Sequence, residues 1–429
     1  MPNITPSKKG GTSVDCSDLL AKKKRNIYLA ISGQNALKGG ATQIANVQLG
    51  YDNGFMELKS KKGLDEYLVA NRKTSNLIPY SIFGNRGYAR NAIYADGLWV
   101  IVGRDVSGSR NNVYYGSNLG NLIAYNIFGN GSARNVTYAN ETWVIVGSDS
   151  SGSGNNVYYG TTLGNLTGLP IFGDSGYALN VTYVNETWVI VGNDGSGSGN
   201  NVYYGSNLGN LTGLPIFGGN GSANNVTYAN GTWVIVGIDS SGSGNNVYYG
   251  TTLGNLTGLP IFGDSGSANN VTYADNTWVI FGYSSGSGNS VYYGTTLGNL
   301  IGYSIFGNNS EAVDAIYADG LWVIVGYSSG SGNNVYYGTT LGSLTPLSIF
   351  GNNGYALNVT YVNGTWVIVG NDSSGSGNNV YYGTTLGNLT GLPIFGDSGY
   401  ARNVTYANGT WVIVGSDSSV NNVYYGSSF

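Results

Sequence analysis

Four aspartates at a recurring loop position are the oxygen donors best placed for chemistry in this sequence. Asp149 opens the run Asp149-Ser150-Ser151-Gly152-Ser153-Gly154-Asn155, and Asp194, Asp239 and Asp372 open copies of it. Such loops gather carboxylate, hydroxyl and amide oxygens, the donor type that calcium takes, but calcium wants about six to eight oxygens and usually several carboxylates. Each loop supplies a single carboxylate, and the matching stretches Ser284–Ser287 and Ser328–Ser331 supply none. The four aspartates are metal candidates on donor type alone, and solvated turns are the expectation for them.

The rest of the catalytic repertoire is thin. The 429 residues include no histidine, so the commonest general base, its triads and its metal sites are absent. Cys16 is the one cysteine, which rules out an intramolecular disulfide or a cysteine zinc site. No paired-carboxylate motif and no Gly-x-x-x-x-Gly-Lys phosphate loop occurs, and the 71 glycines sit in Ser/Gly turns. The expectation is a chain that is not an enzyme and carries no cofactor.

The elements that hold these loops repeat. Ile-Phe-Gly recurs with its phenylalanine at 83, 128, 172, 217, 262, 306, 350 and 395, and tryptophan stands only at 99, 143, 188, 233, 278, 322, 366 and 411. Val-Tyr-Tyr-Gly also occurs eight times, and the spacing within each series is 44 or 45 residues. In the second copy, Asn135–Tyr138 and Thr142–Val146 read as strands joined by the turn Asn140-Glu141. Its counterparts include Asp96-Gly97, Asn230-Gly231 and Asn408-Gly409, dipeptides that accept the positive φ of a type I′ hairpin. Val157-Tyr158-Tyr159 predicts a third strand and Leu169-Pro170-Ile171-Phe172 a fourth, with the proline on an edge.

The tryptophan strand is apolar on both faces, Trp143 and Ile145 one way and Val144 and Val146 the other. Such a strand must be covered from both sides, which radially stacked four-stranded sheets achieve. The chain's ends are complementary: the last copy stops at Phe429 without a fourth strand, and Asn76–Gly84 is a fourth strand without its sheet. Pairing the two removes two exposed edges. The predicted fold is all-β, an eight-bladed β-propeller over residues 75–429, closed by an N-terminal strand and preceded by a basic segment, residues 1–74.

The unit Tyr228-Ala229-Asn230-Gly231-Thr232-Trp233-Val234-Ile235-Val236-Gly237, followed by Val247-Tyr248-Tyr249-Gly250, resembles propeller-type repeats of bacterial, phage and giant-virus proteins. The resemblance spans residues 75–429 and implies a fold rather than an activity. An Asp-box-like turn often follows in that family. Here Gly160-Thr161-Thr162-Leu163-Gly164-Asn165-Leu166 stands instead, which removes support for a sialidase-like role. The Asn- and Tyr-rich duplicated style is similar to giant-virus proteins that coat particles, which implies a virion or particle surface as the location.

Charge divides the chain. Twelve of its 18 basic residues precede residue 75, against six acidic ones, whereas the remainder carries six basic and 16 acidic residues. Lys22-Lys23-Lys24-Arg25 is the partner-binding candidate, towards nucleic acid or another acidic surface, with a solvated arm as the plainer reading. Asn26–Ile31 reads as a strand and Gly63–Ala70 as a short helix. No apolar run reaches the ~20 residues of a membrane span, and no secretory signal is visible.

Three functions follow as expectations. The first is a structural scaffold that assembles with itself or other structural proteins through its N-terminal segment. The second is a multivalent glycan-binding propeller, using repeated Trp and Tyr positions; sequons such as Asn140-Glu141-Thr142 would make the chain itself a glycoprotein. The third is a hydrolase with a carboxylate site at the ring centre, which predicts acids clustered at one mouth. Against the second, packing between blades is the commoner use of a tryptophan covered on both faces.

Overall fold

The computed structural model describes residues 76–429 except 285–286, 308–309, 329–330 and 418–419, and, before residue 76, three strands. Two compact units are present, Met1–Lys73 and Thr74–Phe429. In the first, Tyr28–Ile31, Val47–Tyr51 and Gly54–Leu58 form an antiparallel sheet in chain order. The strand expected over Asn26–Ile31 is therefore represented by Tyr28–Ile31, whereas Lys22–Arg25 and the helix expected at Gly63–Ala70 lie outside the described residues.

In the second unit each of the first seven repeats folds into four antiparallel strands paired in sequence order. The second repeat supplies Ser132–Ala139, Thr142–Ser148, Val157–Gly160 and Thr167–Leu169. Between the first two strands Asn140 and Glu141 have φ of 47° and 56°, and Asn230-Gly231 has 47° and 72°, the left-handed pair that a type I′ turn requires.

The fourth strand lies upstream of the predicted run. It covers Thr167–Leu169 and stops before Pro170, which has no N–H with which to extend a ladder. Ile171 and Phe172 leave the sheet, and the Phe172 N–H is taken by Asn156 Oδ1 at 3.0 Å. Where proline does enter the fourth strand it lies at the free edge, Pro79 opposite Tyr424 and Pro346 opposite Tyr336.

Burial follows the two-faced strand. Trp143 and Ile145 pack with Val100, Val102 and Val113 of the preceding repeat, while Val144 and Val146 pack with Phe172, Trp188 and Ile190 of the following one. Val412, Val414 and Val423 of the last repeat share a core with Phe83, Trp99 and Ile101 of the first. Thr405 Oγ1 donates to the Ala92 carbonyl at 2.8 Å across the same junction. Ile78–Tyr80 is the fourth strand of the last sheet, with Tyr80 opposite Val423 and Ile78 opposite Tyr425. Asn76 Nδ2 donates to Ser428 Oγ at 3.0 Å beside it. The described chain is thus all-β, apart from a 3-10 turn at Leu386–Asn388.

Candidate functional site

The first strand of each repeat carries a β-bulge near its start, seen in the first repeat as a register shift between Ala89 and Asn91 and in the eighth between Ala401 and Asn403. A bulge leaves one residue unpaired and re-aims its side chain and its neighbour's. Here the residue after the bulge is asparagine in seven repeats and Asp314 in the sixth.

These side chains bond from strand to strand. Asn91 Nδ2 donates to Asn135 Oδ1 at 2.6 Å, Asn135 to Asn180 at 2.7 Å, Asn180 to Asn225 at 2.7 Å and Asn225 to Asn270 at 2.5 Å. Asn270 then donates to Asp314 Oδ1 at 3.4 Å, and from the other side Asn358 donates to Asp314 Oδ2 at 2.8 Å. Burial raises the Asp314 carboxyl to about 7, opposed in part by donors from Val359 N–H, Ala315 N–H and Asn358.

The bulged residue itself is arginine in three consecutive repeats, at Arg402, Arg90 and Arg134; elsewhere it is Leu179, Asn224, Asn269, Val313 or Leu357. The guanidinium of Arg90 lies 4.9 Å from the Tyr88 ring centre, that of Arg134 lies 4.5 Å from Tyr177, and that of Arg402 lies 4.6 Å from Tyr400 and 5.3 Å from Tyr88. Arg90 also donates to Tyr88 Oη at 3.2 Å and Arg402 to Tyr400 Oη at 3.0 Å. The Nε of all three is buried without an acceptor. Burial pushes the Arg134 pKa down, and the like charges of Arg90 and Arg402 add to the effect. For Tyr88, burial acts upward, but Arg90 and then Arg104 outweigh it and hold the phenol below its ordinary value.

Opposite chemistry starts the sixth first strand. Glu311 accepts from Asn269 Nδ2 at 3.3 Å, and burial raises its carboxyl. Glu311 and Asp314 come from one strand of one repeat, not from several repeats as a ring-centre hydrolase predicts for its acids. Among the described residues no group of three or more His, Cys, Asp or Glu side chains converges as a metal site.

The loop aspartates turn inward on their own loops. Asp149 accepts from the N–H groups of Ser151, Ser153 and Gly154 at 2.8, 2.9 and 3.0 Å and from Ser153 Oγ at 3.0 Å. Asp194, Asp239 and Asp372 repeat the pattern, with Gly199, Gly244 and Gly377 N–H at 2.7, 2.7 and 2.8 Å. Burial acts upward on these carboxyls, but the serine hydroxyls and loop N–H groups outweigh it and hold them below the usual carboxylate range. The tryptophans are equally committed: Trp143 is 1% exposed and packs 4.6 Å from the Tyr138 ring, which withholds it from any sugar pocket.

Sequence reasoning missed a buried amide. The second asparagine of each Asn-Asn-Val-Tyr-Tyr run, Asn156 for example, accepts from Phe172 N–H and donates to Gly154 O and Gly173 O, each at 3.0 Å. It fastens the third strand to the segment beyond the fourth. Its recurrence in every copy but the fifth, where Ser290 stands, was the available signal.

No family model and no curated protein matches the sequence. Similarity to solved structures is remote and of propeller type. A virginiamycin B lyase from Staphylococcus aureus is 13% identical, with 82% of this chain and 99% of that one covered at a TM-score of 0.48. The β-propeller domain of the Trilobed protease from Pyrococcus furiosus is 12% identical, covering 74% and 98% at 0.42. A puromycin hydrolase is 11% identical, covering 77% and 58% at 0.44. The expectation that the chain is not an enzyme is corrected here: its propeller-type neighbours include a lyase and hydrolases, so the fold does not set it apart from enzymes.

Proposed function

We propose that residues 74–429 close into an eight-bladed propeller that serves as an interaction scaffold, engaging its partner at the axial mouth where the first strands begin. Closure is supported by the pairing of Ile78–Tyr80 with Val423–Gly426 and by the core shared between the last and first repeats.

The observation that carries the functional reading is where the copies differ. Exposed stretches vary less: Ser-Gly-Ser-Gly recurs in six of the eight copies and Thr-Thr-Leu-Gly in five. Three positions at one end of each sheet differ more widely. The first strand starts with Tyr88, Ser132, Tyr177, Ser222, Ser267, Glu311, Tyr355 or Tyr400, and its bulge varies as described above. The residue paired with that start ends the second strand and ranges over Arg104, Ile238, Tyr283 and Asn371. A ring that only had to pack would have no reason to diversify one end while keeping its exposed loops more uniform; a recognition surface has one.

The test is a glycan and peptide array probed with the wild type, with a mouth variant (Tyr88→Ser with Tyr355→Ser) and with a hairpin-end variant (Glu141→Gly with Glu186→Gly). Signals lost only in the mouth variant support the reading. Signals lost only in the hairpin-end variant, or none from any protein, overturn it.

A further inference from the structure

Every basic residue beyond Lys73 is an arginine, and all six of them belong to three consecutive repeats, the eighth, first and second. Near-copied units would scatter charge evenly, so this grouping is a property of the present ring and not of the repeat. Three of the six stand at the same bulge on neighbouring first strands. Each is laid along a tyrosine ring with Nε enclosed, and Arg90 and Arg402 each spend one Nη on their tyrosine's Oη, which leaves the other Nη for a ligand. The charges acting on Arg134 are those of Arg90 and Arg402, beside the uncharged phenols of Tyr177 and Tyr88.

An arginine does not shed its proton, so this mutual repulsion stays in the folded chain until an anion arrives. Other residues serve the same backbone position without charge, as Leu179 and Leu357 do. Packing therefore does not require arginine at the bulge. Planar forks held on aromatic faces suit a carboxylate or phosphate, which they grip through paired N–H donors.

We propose that Arg90, Arg134 and Arg402 form one binding site for the carboxylate or phosphate group of a ligand entering the axial mouth. The assignment rests on the mouth reading above and deepens it by naming the ligand's chemistry. Glu311, four repeats on from Arg134 in the proposed ring, brings a carboxyl to the corresponding end of its first strand, so an anionic ligand is also oriented towards the arginine side.

The experiment is calorimetric titration of the full chain with citrate and, separately, with tripolyphosphate, at low ionic strength. At least one probe should bind wild type at a single site, and which one does separates a carboxylate from a phosphate ligand. Arg134→Leu should weaken that binding about tenfold or more, and the triple Arg90→Leu, Arg134→Leu, Arg402→Leu should abolish it. Arg110→Ser, on an exposed loop, should leave it within about twofold. Without anion the triple variant should melt no lower than wild type, because removing three like charges relieves repulsion; arginines that served only structure would give a lower Tm. A matching Arg→Asn triple, copying Asn224, covers the case in which the leucine variant does not fold. Silence with both probes, or undiminished binding by the folded triple variant, overturns the anion site. Uncharged ligands lost from the array by the mouth variant would then still uphold the mouth reading, so the two failures are separable.

Discussion

Asn358 Nδ2 donates to Asp314 Oδ2 at 2.8 Å, against the direction in which Asn91 through Asn270 pass their bonds along the first strands. A carboxylate only accepts, so it draws a donor from each side. The carboxyl ordinarily titrates near 3.8 and stands at about 7 in the fold. Between those values the folded chain holds a proton that the unfolded chain has released, so this group lowers stability as pH rises through the window and no further above it. Asp314→Asn should remove that slope and be the more stable protein at pH 8, by a few kcal/mol. Urea melts of both proteins at pH 5 and pH 8 check this; parallel pH dependences would show an ordinary carboxyl.

Ser290 should be improvable. Its hydroxyl is buried with no partner among the described residues, whereas Asn334 in the sixth repeat accepts from Ile349 and Phe350 N–H and donates to Gly332 O and Gly351 O, all at 3.1 Å. Ser290→Asn should restore those bonds and raise stability by about 1–2 kcal/mol, and Asn334→Ala should lower it by about 3 kcal/mol. Guanidinium midpoints report both.

The outer strand Ile78–Tyr80 should matter beyond its three residues. A chain beginning at residue 81 leaves Val423–Gly426 as a bare edge, which invites pairing between molecules. Such a chain should melt lower and sediment as dimers or larger species, whereas a chain beginning at residue 74 should behave as the full chain does.

Calcium should leave the loops indifferent. The Asp149 carboxylate is already met by Ser151, Ser153 and Gly154. Millimolar calcium should therefore not shift Tm, and Asp149→Ala should lower stability by about 1 kcal/mol. Because these carboxyls titrate below their ordinary value, what they contribute is present at neutral pH and is lost as pH falls through the depressed value. A wild-type Tm that rises on adding calcium would reassign the loops.

Much of the architecture was legible because packing writes a period into sequence. Trp143 and its seven counterparts marked the strand covered on both faces, and Asn-Gly or Asp-Gly marked the hairpins. The fourth strand was misplaced because Leu169, Ile171 and Phe172 are apolar for different reasons: the first lies in the ladder, and Phe172 fills the core after Pro170 has ended it. The site was hidden because alternation assigns faces only in a regular strand. At the bulge the rule fails, and Arg90 and Asn91 read as ordinary polar neighbours. Asn156 stayed unnoticed because a buried amide looks like turn composition until its partners are known.

In the proposed ring, the bond between Asn76 and Ser428 makes the linear order of the repeats a matter of convention. A short linker joining Phe429 to Asn76, with residues 1–75 left out and new termini cut between Gly209 and Asn210, would exchange one outer-strand junction for an equivalent one and keep the strand partners of every repeat. Such a permuted gene lets a fusion or a label be placed on any chosen wedge of the molecule, and matching melting curves would show the choice to be free.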